Sequence, residues 1–527
     1  MTIASSGPCD EALIRQTKDS PCSPAASRWV LAATILGSSM AFIDGTVISV
    51  ALPVLQETLG ASVSDAQWIV EAYALFLASL VLVGGALADR FGRRRVFVIG
   101  TVIFTAASLA CGLAPGARTI IFARAVQGVG AALLVPSSLA ILGAAFAPSA
   151  RGRAVGTWAA MTSITAAIGP ALGGWLVQVV SWRAVFLVNL PLAAAVVWIA
   201  LRKVPETRNP SSGRLDPGGA VLATVGLGAL VYGLIEAPAV GLGHPGAWGP
   251  AAGGIAALTA FVVYERRIRQ PMVPLALFRI RTFAAANLLT LFLYAALSAV
   301  FFFLPFDLIQ SRDYTPAGAG AAVLPLVVLI SVLSRWAGAV ADRFGPRLPL
   351  TVGPAIAAAG FVLLGILPAD ASYVAGLLPA LCVLGLGMGI TVAPLTAAVL
   401  NAVPRDDQGA ASGINNAVAR VAGLLAIAVF GIVAAASFNR SLDRELDRAG
   451  VSPSTRRLLE PERGKLGAMK PPASAPAPEA RAIQRSVATS FHRSFRVVAL
   501  ISGGLAFLAS VCAAAGVRND GARKASG

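Results

Sequence analysis

Residues 85–100 read GALADRFGRRRVFVIG, and residues 338–353 read GAVADRFGPRLPLTVG. Nine of the sixteen aligned positions are identical, at an offset of 253. Each copy leaves one apolar run, passes through Asp-Arg-Phe-Gly, and enters the next run. A second echo keeps nearly that offset and sets Gly152-Arg153-Ala154-Val155-Gly156 against Gly409-Ala410-Ala411-Ser412-Gly413. The chain therefore contains two homologous halves in the same orientation. Parallel halves around a central cavity are a transporter architecture.

Working outward from the repeat, the rest of the chain is apolar. Of its 527 residues 56% are hydrophobic and 13% are charged, against about 45–50% and about 25% for a soluble domain. That excludes a soluble enzyme, a disordered chain and a disulfide scaffold. Fourteen apolar runs, from 28–52 to 494–516, are each long enough to span a bilayer as a helix. Two of them, 216–236 and the glycine-rich 246–264, lie between the halves. The expected organisation is an N-terminal tail (1–27), a six-helix bundle (28–201) and a linker with two extra spans (202–281). A second six-helix bundle (282–516) and a short tail (517–527) follow. Residues 1–27 are polar and acidic, unlike a signal peptide.

The net charge of +17 sits in short basic runs between spans, which set orientation rather than bind nucleic acid. With the N-terminus cytoplasmic, the short inner loops carry eighteen Lys and Arg and the short outer loops three, Arg118, Arg183 and Arg312. An even number of spans returns the C-terminus to the same side. Both termini are therefore expected in the cytoplasm, with the chain in the cell membrane. Residues 437–493 carry many arginines yet fall outside; long loops translocate largely regardless of charge. That segment reads as a mobile external loop with two short helical pieces. Its role is a solvated loop or a docking site, a periplasmic adaptor being a candidate partner. The five cysteines form no CxxC pair, and His244 and His492 lack ligand spacing, so neither zinc nor a disulfide framework is indicated.

The first repeat copy resembles the signature loop of the major facilitator superfamily. The six-plus-two-plus-six pattern is similar to its fourteen-helix drug:proton antiporter branch, the EmrB/QacA type. Asp44-Gly-Thr46-Val-Ile-Ser-Val-Ala51-Leu52-Pro53 resembles that branch's first-helix motif, and Arg124-Ala-Val-Gln127-Gly128-Val-Gly130 its fourth-helix motif. Gly169-Pro170-Ala-Leu-Gly173-Gly174 resembles the antiporter motif of the fifth helix, and Trp182-Arg183-Ala-Val-Phe186-Leu-Val-Asn189-Leu-Pro191 the opening of the sixth. The resemblance covers about residues 28–436 and the last helix. It implies an all-α integral membrane protein of the major facilitator fold: two six-helix bundles plus two extra central helices.

Charge inside a membrane is costly and usually functional. Asp44 lies about 24 Å along the first helix, and Arg124 and Glu71 each about 8 Å down helices running the other way. The three thus reach similar depth in one half. Burial raises a carboxylate pKa and a nearby guanidinium lowers it, so such a cluster can switch by proton exchange. Arg124 does not titrate, so the carboxylates must; the working hypothesis makes Asp44 the main proton carrier, engaged by Arg124 when ionised, with Glu71 the alternative carrier. Glu71 is a second carboxylate, for coupling or for a cationic substrate, where the family usually has a small polar residue. The alternative is a static ion pair.

Gly85, Asp89, Arg90, Gly92, Arg93 and Arg94, echoed by Asp342 and Arg343, form the expected conformational latch. In family terms it locks the cytoplasmic side closed; the alternative is simple positive-inside anchoring. Pro346 replaces Arg93 in the second copy, which predicts a weaker latch. Gly169, Pro170, Gly173 and Gly174 would seal and reopen the cavity, a motif the family links to export. Phe42, Tyr73, Tyr294 and Phe301 are candidate cavity residues. Asp307 and Glu236 read as solvated helix-end charges, with Asp307 a candidate for the cavity mouth.

No GxxxxGK[ST] loop is present, so ATP-driven transport is unsupported, and no nucleophile–base pair suggests an enzyme. The expected function is proton-coupled efflux of lipophilic, cationic compounds by alternating access. Its partners are the substrates, protons and membrane lipid; the proton gradient replaces any cofactor. The competing readings are a dedicated exporter or flippase of one metabolite or lipid, and a non-transporting sensor.

Overall fold

The computed structural model describes residues 24–519 except 209–215, 242, 269–270, 272 and 405–406, and not the side chains of 24–26, 148–149 and 342. Asp342 of the latch therefore lies outside the described side chains. So do Arg214, Arg269 and Arg405 of the inner loops.

Among the described residues, fourteen helices are long and apolar enough to cross a membrane. Numbered as spans, they are α1 (Ser27–Leu59), α2 (Val63–Phe91), α3 (Arg93–Gly112), α4 (Ala117–Ala145), α5 (Ala150–Val179), α6 (Ala184–Lys203) and α7 (Pro217–Val240). Then come α8 (Pro245–Arg267), α9 (Arg281–Ser311), α10 (Pro316–Ala341), α11 (Arg347–Ile366), α12 (Tyr373–Asn401), α13 (Gln408–Arg448) and α14 (Ala477–Gly516). No strand occurs among the described residues. This is what a bilayer demands, because a helix satisfies its backbone hydrogen bonds internally. The glycine-rich α8 forms as a span, but only 11% of its apolar window is buried.

The chain divides into two compact units. Unit 1 comprises residues 1–48, 69–224 and 268–272; unit 2 comprises 49–68, 225–267 and 273–527. In unit 1 the buried core joins Met40 of α1, Tyr73 of α2, Phe97 and Phe104 of α3, Leu134 of α4, Trp158 of α5 and Val196 of α6. In unit 2, α9, α13 and α14 pack on one another, α11 on α12 and α14, and α10 on α12. Lipid is as apolar as these side chains, so close packing and polar bonds hold the helices together.

One expectation is corrected. Residues 437–493 are mostly helix rather than a loop. α13 runs for 41 residues and α14 for 40, about 60 Å each, twice the hydrocarbon thickness of about 30 Å. The apolar runs end earlier, but an amphipathic stripe continues. Phe438, Leu442 and Leu446 are buried at four-residue spacing on α13, as are Ile483, Val487 and Phe491 on α14. Between the two helices lie a short helix, Pro453–Leu459, and a 3-10 segment, Glu460–Ala468. Arg493 bonds Glu445 at 2.6 Å and Arg463 bonds Asp443 at 2.6 Å, and Arg456 pairs with Asp447.

Candidate functional site

Asp44 and Arg124 meet inside unit 1 as a buried ion pair. Arg124 is wholly buried and Asp44 is 2% exposed. Nη1 of Arg124 donates to Asp44 Oδ2 and, at 3.0 Å, to Gln127 Oε1. Its Nε donates to the Ile69 carbonyl at 2.9 Å, and its guanidinium lies 4.2 Å from the Tyr73 ring centre. Asp44 Oδ1 accepts from Gln127 Nε2 at 2.8 Å and from Asn189 Nδ2 at 3.3 Å. Asn189 also donates to Ser108 Oγ at 3.0 Å. Taking both charges out of water is expensive, and a buried pair persists only where further hydrogen bonds serve the remaining lone pairs and protons. Gln127 and Asn189 supply that service.

Neither residue was singled out from the sequence for this role. Gln127 was legible in principle, since it stands three residues after Arg124 and shares its helix face. Asn189 sits within a quoted motif, but only the fold brings α6 to Asp44.

Glu71 is also wholly buried, yet neither of its oxygens has a hydrogen-bond partner. Its neighbours Ile69 and Tyr73 both touch Arg124, so α2 does reach this level. Glu71 itself joins neither Asp44 nor Arg124. Arg124 Nη2 is likewise unpartnered.

The antiporter motif packs against the helix turn that follows Asp44. A β-carbon on Gly169 would collide with Thr46 Oγ1, and one on Gly173 would stand 2.8 Å from the Val47 carbonyl oxygen. Pro170 and Gly174 are buried beside them. Glycine here permits α5 and α1 to touch backbone to side chain.

The residues expected to form a latch make their contacts within unit 1. Asp89 bonds Arg93 one turn on, at 2.7 Å, and Arg90 lies over the Phe91 ring at 5.5 Å. Gly85 stands next to Pro136 of α4. Gly92 turns the chain between α2 and α3 at φ 114°. The decisive partner is Glu206, which the sequence did not suggest. It accepts from the backbone N–H groups of Arg94 and Arg95, both at 3.1 Å, at the N-terminus of α3. Arg94 also donates to the Val204 carbonyl at 3.0 Å. The second copy repeats this geometry with Asn519. Its Oδ1 accepts from Arg347 N at 3.2 Å, beside Gly345 at φ 84°. Arg347 holds the Ala514 carbonyl at 2.7 Å, and Arg343 lies over Phe344.

Of the candidate cavity aromatics, Tyr73 is packed under Arg124, and Phe42 meets Trp158 edge-on at 6.5 Å. Tyr294 and Phe301 are partly buried on α9. Asp307 is corrected: it is not a solvated helix-end charge. It is wholly buried, with Arg312 and His492 on its two oxygens. Glu236 lies inside α7 and lines a cavity of about 540 Å³ with Asp65, Trp68 and Asn439.

The comparisons with known proteins bear on the whole constellation. The family model described as Major Facilitator Superfamily matches residues 34–427. The chain belongs to the major facilitator superfamily. Superfamily relatives include Multidrug resistance protein Stp of Mycobacterium tuberculosis, 36% identical over 81% of this chain and 80% of that one. The Tetracenomycin C resistance and export protein of Streptomyces glaucescens is 32% identical over 92% and 90%. The Cephamycin export protein CmcT of Amycolatopsis lactamdurans is 37% identical over 78% and 85%. Among solved superfamily folds, a bacterial homologue of the human lysosomal transporter Spinster aligns with a TM-score of 0.64. It is 18% identical and covers 93% of this chain and 98% of that one. The chain is thus an integral, multi-pass membrane protein of a transporter superfamily, and its relatives are drug resistance and export proteins.

Proposed function

We propose that this chain is a proton-driven exporter of lipophilic, cationic compounds in the cell membrane, with both termini cytoplasmic. The observation that carries the proposal is the buried Asp44–Arg124 pair, in a chain whose relatives are named for drug resistance and export. Asp44 takes up and releases the proton. Ionised, it holds Arg124, Gln127 and Asn189; protonated, it gives up the ion pair. Thr46 and Val47 then carry the change to Gly169 and Gly173 of α5. Glu71 is the second carboxylate, and both it and Arg124 Nη2 have unmatched hydrogen-bonding atoms. When Asp44 is protonated, Glu71 becomes the group to which Arg124 turns. No cofactor enters this scheme, because the proton gradient supplies the free energy. The superfamily and the relatives are transporters, which favours transport over catalysis.

Liposomes holding a pH-sensitive dye under an imposed pH gradient test this reading with a panel of lipophilic cations. Substrate-dependent proton movement in the wild type, lost in Asp44→Asn, supports it. Equal movement in both transfers the carrier role to Glu71. No movement with any cation favours the second reading, a dedicated exporter of one metabolite. That reading has its own support, since one relative, aligned over 92% of this chain, is named for tetracenomycin C.

A further inference from the structure

Asp307 opens a single π-turn, Asp307–Ser311, at the end of α9. The loop charges assign that end to the exterior. Arg312 returns to it, donating from Nε to Asp307 Oδ2 at 2.8 Å and from Nη1 to the Pro368 carbonyl at 3.2 Å. His492 of α14 approaches the other oxygen. Its Nδ1 lies 3.0 Å from Asp307 Oδ1, and its Nε2 lies 3.1 Å from the Leu367 carbonyl oxygen. All three side chains are buried, Asp307 at 0%, Arg312 at 4% and His492 at 6% exposure.

The hydrogen count of this cluster is constrained. A carbonyl oxygen only accepts, so His492 Nε2 must carry a hydrogen. Asp307 Oδ2 already accepts from Arg312. Between Nδ1 and Oδ1 there must be one further hydrogen, assigned here to Nδ1, so that the ring donates from both nitrogens. A neutral ring facing an ionised carboxylate lacks that hydrogen. Its one N–H can serve Asp307 or Leu367, but not both. The other contact then sets two acceptors against each other in a buried place, which is costly.

We propose that Asp307 and His492 form a second proton-binding site, in unit 2, whose occupied form clasps the ends of α9, α11 and α14 together. The ligand is a single proton from the outer medium. The site is distinct from the Asp44–Arg124 pair and does not depend on which carboxylate of unit 1 exchanges protons. Other charged groups on the packed elements are engaged elsewhere or stand outside the cluster. On α14, Arg493 bonds Glu445 of α13 and Arg496 bonds the Gly365 carbonyl of α11. Lys465, on the 3-10 segment, bonds Glu462. Asp313, Tyr314, Asp370 and Tyr373 lie on the neighbouring turns. Among the described charged side chains, Asp307 meets His492 and Arg312 holds Asp307.

The chain has two histidines, which makes a direct test practicable. Full-length protein without a polyhistidine tag, carrying His244→Gln and ¹⁵N-labelled histidine, leaves one ring to observe in lipid nanodiscs. The readout needs no substrate and no transport, so it fails separately from the proposed function. The expected spectrum of the occupied site shows both ring nitrogens of His492 protonated. In Asp307→Asn the ring reverts to a one-proton pattern. The same pattern in both proteins, whether one proton or two, overturns the proposal. If Asp307→Asn does not fold, the wild-type ring is titrated from about pH 5 to about pH 9, bracketing the histidine range. Amide exchange at 307–312 and 367–369, corrected for its intrinsic pH dependence, should accelerate as the second proton leaves. Exchange that does not follow the ring overturns the clasp.

Discussion

The Glu206 carboxylate lies 2.7 Å from where a β-carbon on Gly92 would stand. The same carboxylate receives two N–H groups at the start of α3. An anion at a helix N-terminus is favoured by the unpaired N–H groups and the helix dipole. Gly92 supplies both the left-handed backbone and the room. Asn519 and Gly345 repeat the relation in unit 2 with a neutral amide. Charge is thus absent from the second latch at the helix cap as well as at Pro346.

Gly92→Ala should therefore act on both features. The backbone strain alone is worth about 1–3 kcal/mol, and the Glu206 contact must also give way. Glu206→Gln keeps an acceptor and loses only the charge, worth about 0.3–1 kcal/mol. Thermal unfolding of the purified protein should rank Gly92→Ala as the more damaging. Equal melting temperatures would mean that Glu206 does not press on Gly92.

Asp44→Asn removes one partner of a buried pair and strands Arg124, at a cost of about 3–5 kcal/mol. The double variant Asp44→Asn/Arg124→Gln should regain most of the lost melting temperature while remaining uncoupled. Proton flux together with a thermal melt separates the two effects.

Glu71→Gln should leave the melting temperature near that of the wild type, because no hydrogen bond to the carboxylate is lost. Substrate-dependent proton movement should slow while remaining measurable. Unchanged flux would remove Glu71 from the coupling scheme.

Gly169→Ala should abolish export, because the new methyl collides with Thr46 Oγ1. Adding Thr46→Ala removes that atom and should restore part of the export. Failure of the pair to recover would show that the glycine serves helix bending rather than this contact.

Residues 437–493 contain many arginines and lysines but lie mostly in helices tied by ion pairs. Exposed pairs contribute about 0–1 kcal/mol each, so the buried stripe carries the order. The segment should resist trypsin added from outside, and Leu442→Asp with Val487→Asp should make it cleavable. Rapid cleavage of the wild type would contradict the packed helices.

How much of this was legible beforehand follows from distance along the chain. Periodic apolar runs gave the fourteen spans because span length answers to bilayer thickness. The repeat at 85–100 and 338–353 gave the two halves. Asp44, Arg124 and Glu71 stood out because a charge within an apolar run is rare. The ends of α13 and α14 beyond the apolar runs were missed because their stripe is amphipathic, and an apolar window averages it away.

By itself the sequence determined the number of spans, the duplication and the charged residues that lie within apolar runs. Only the tertiary structure decided which of those residues meet. It joined Asn189 to Asp44, Glu206 to the turn at Gly92 and His492 to Asp307, and it left Glu71 without a partner. The physical reason is that helix formation is set by neighbours within four residues, whereas these contacts join groups 111 to 185 positions apart. Which side chain fills a buried partner's empty valence is fixed only when the helices have packed.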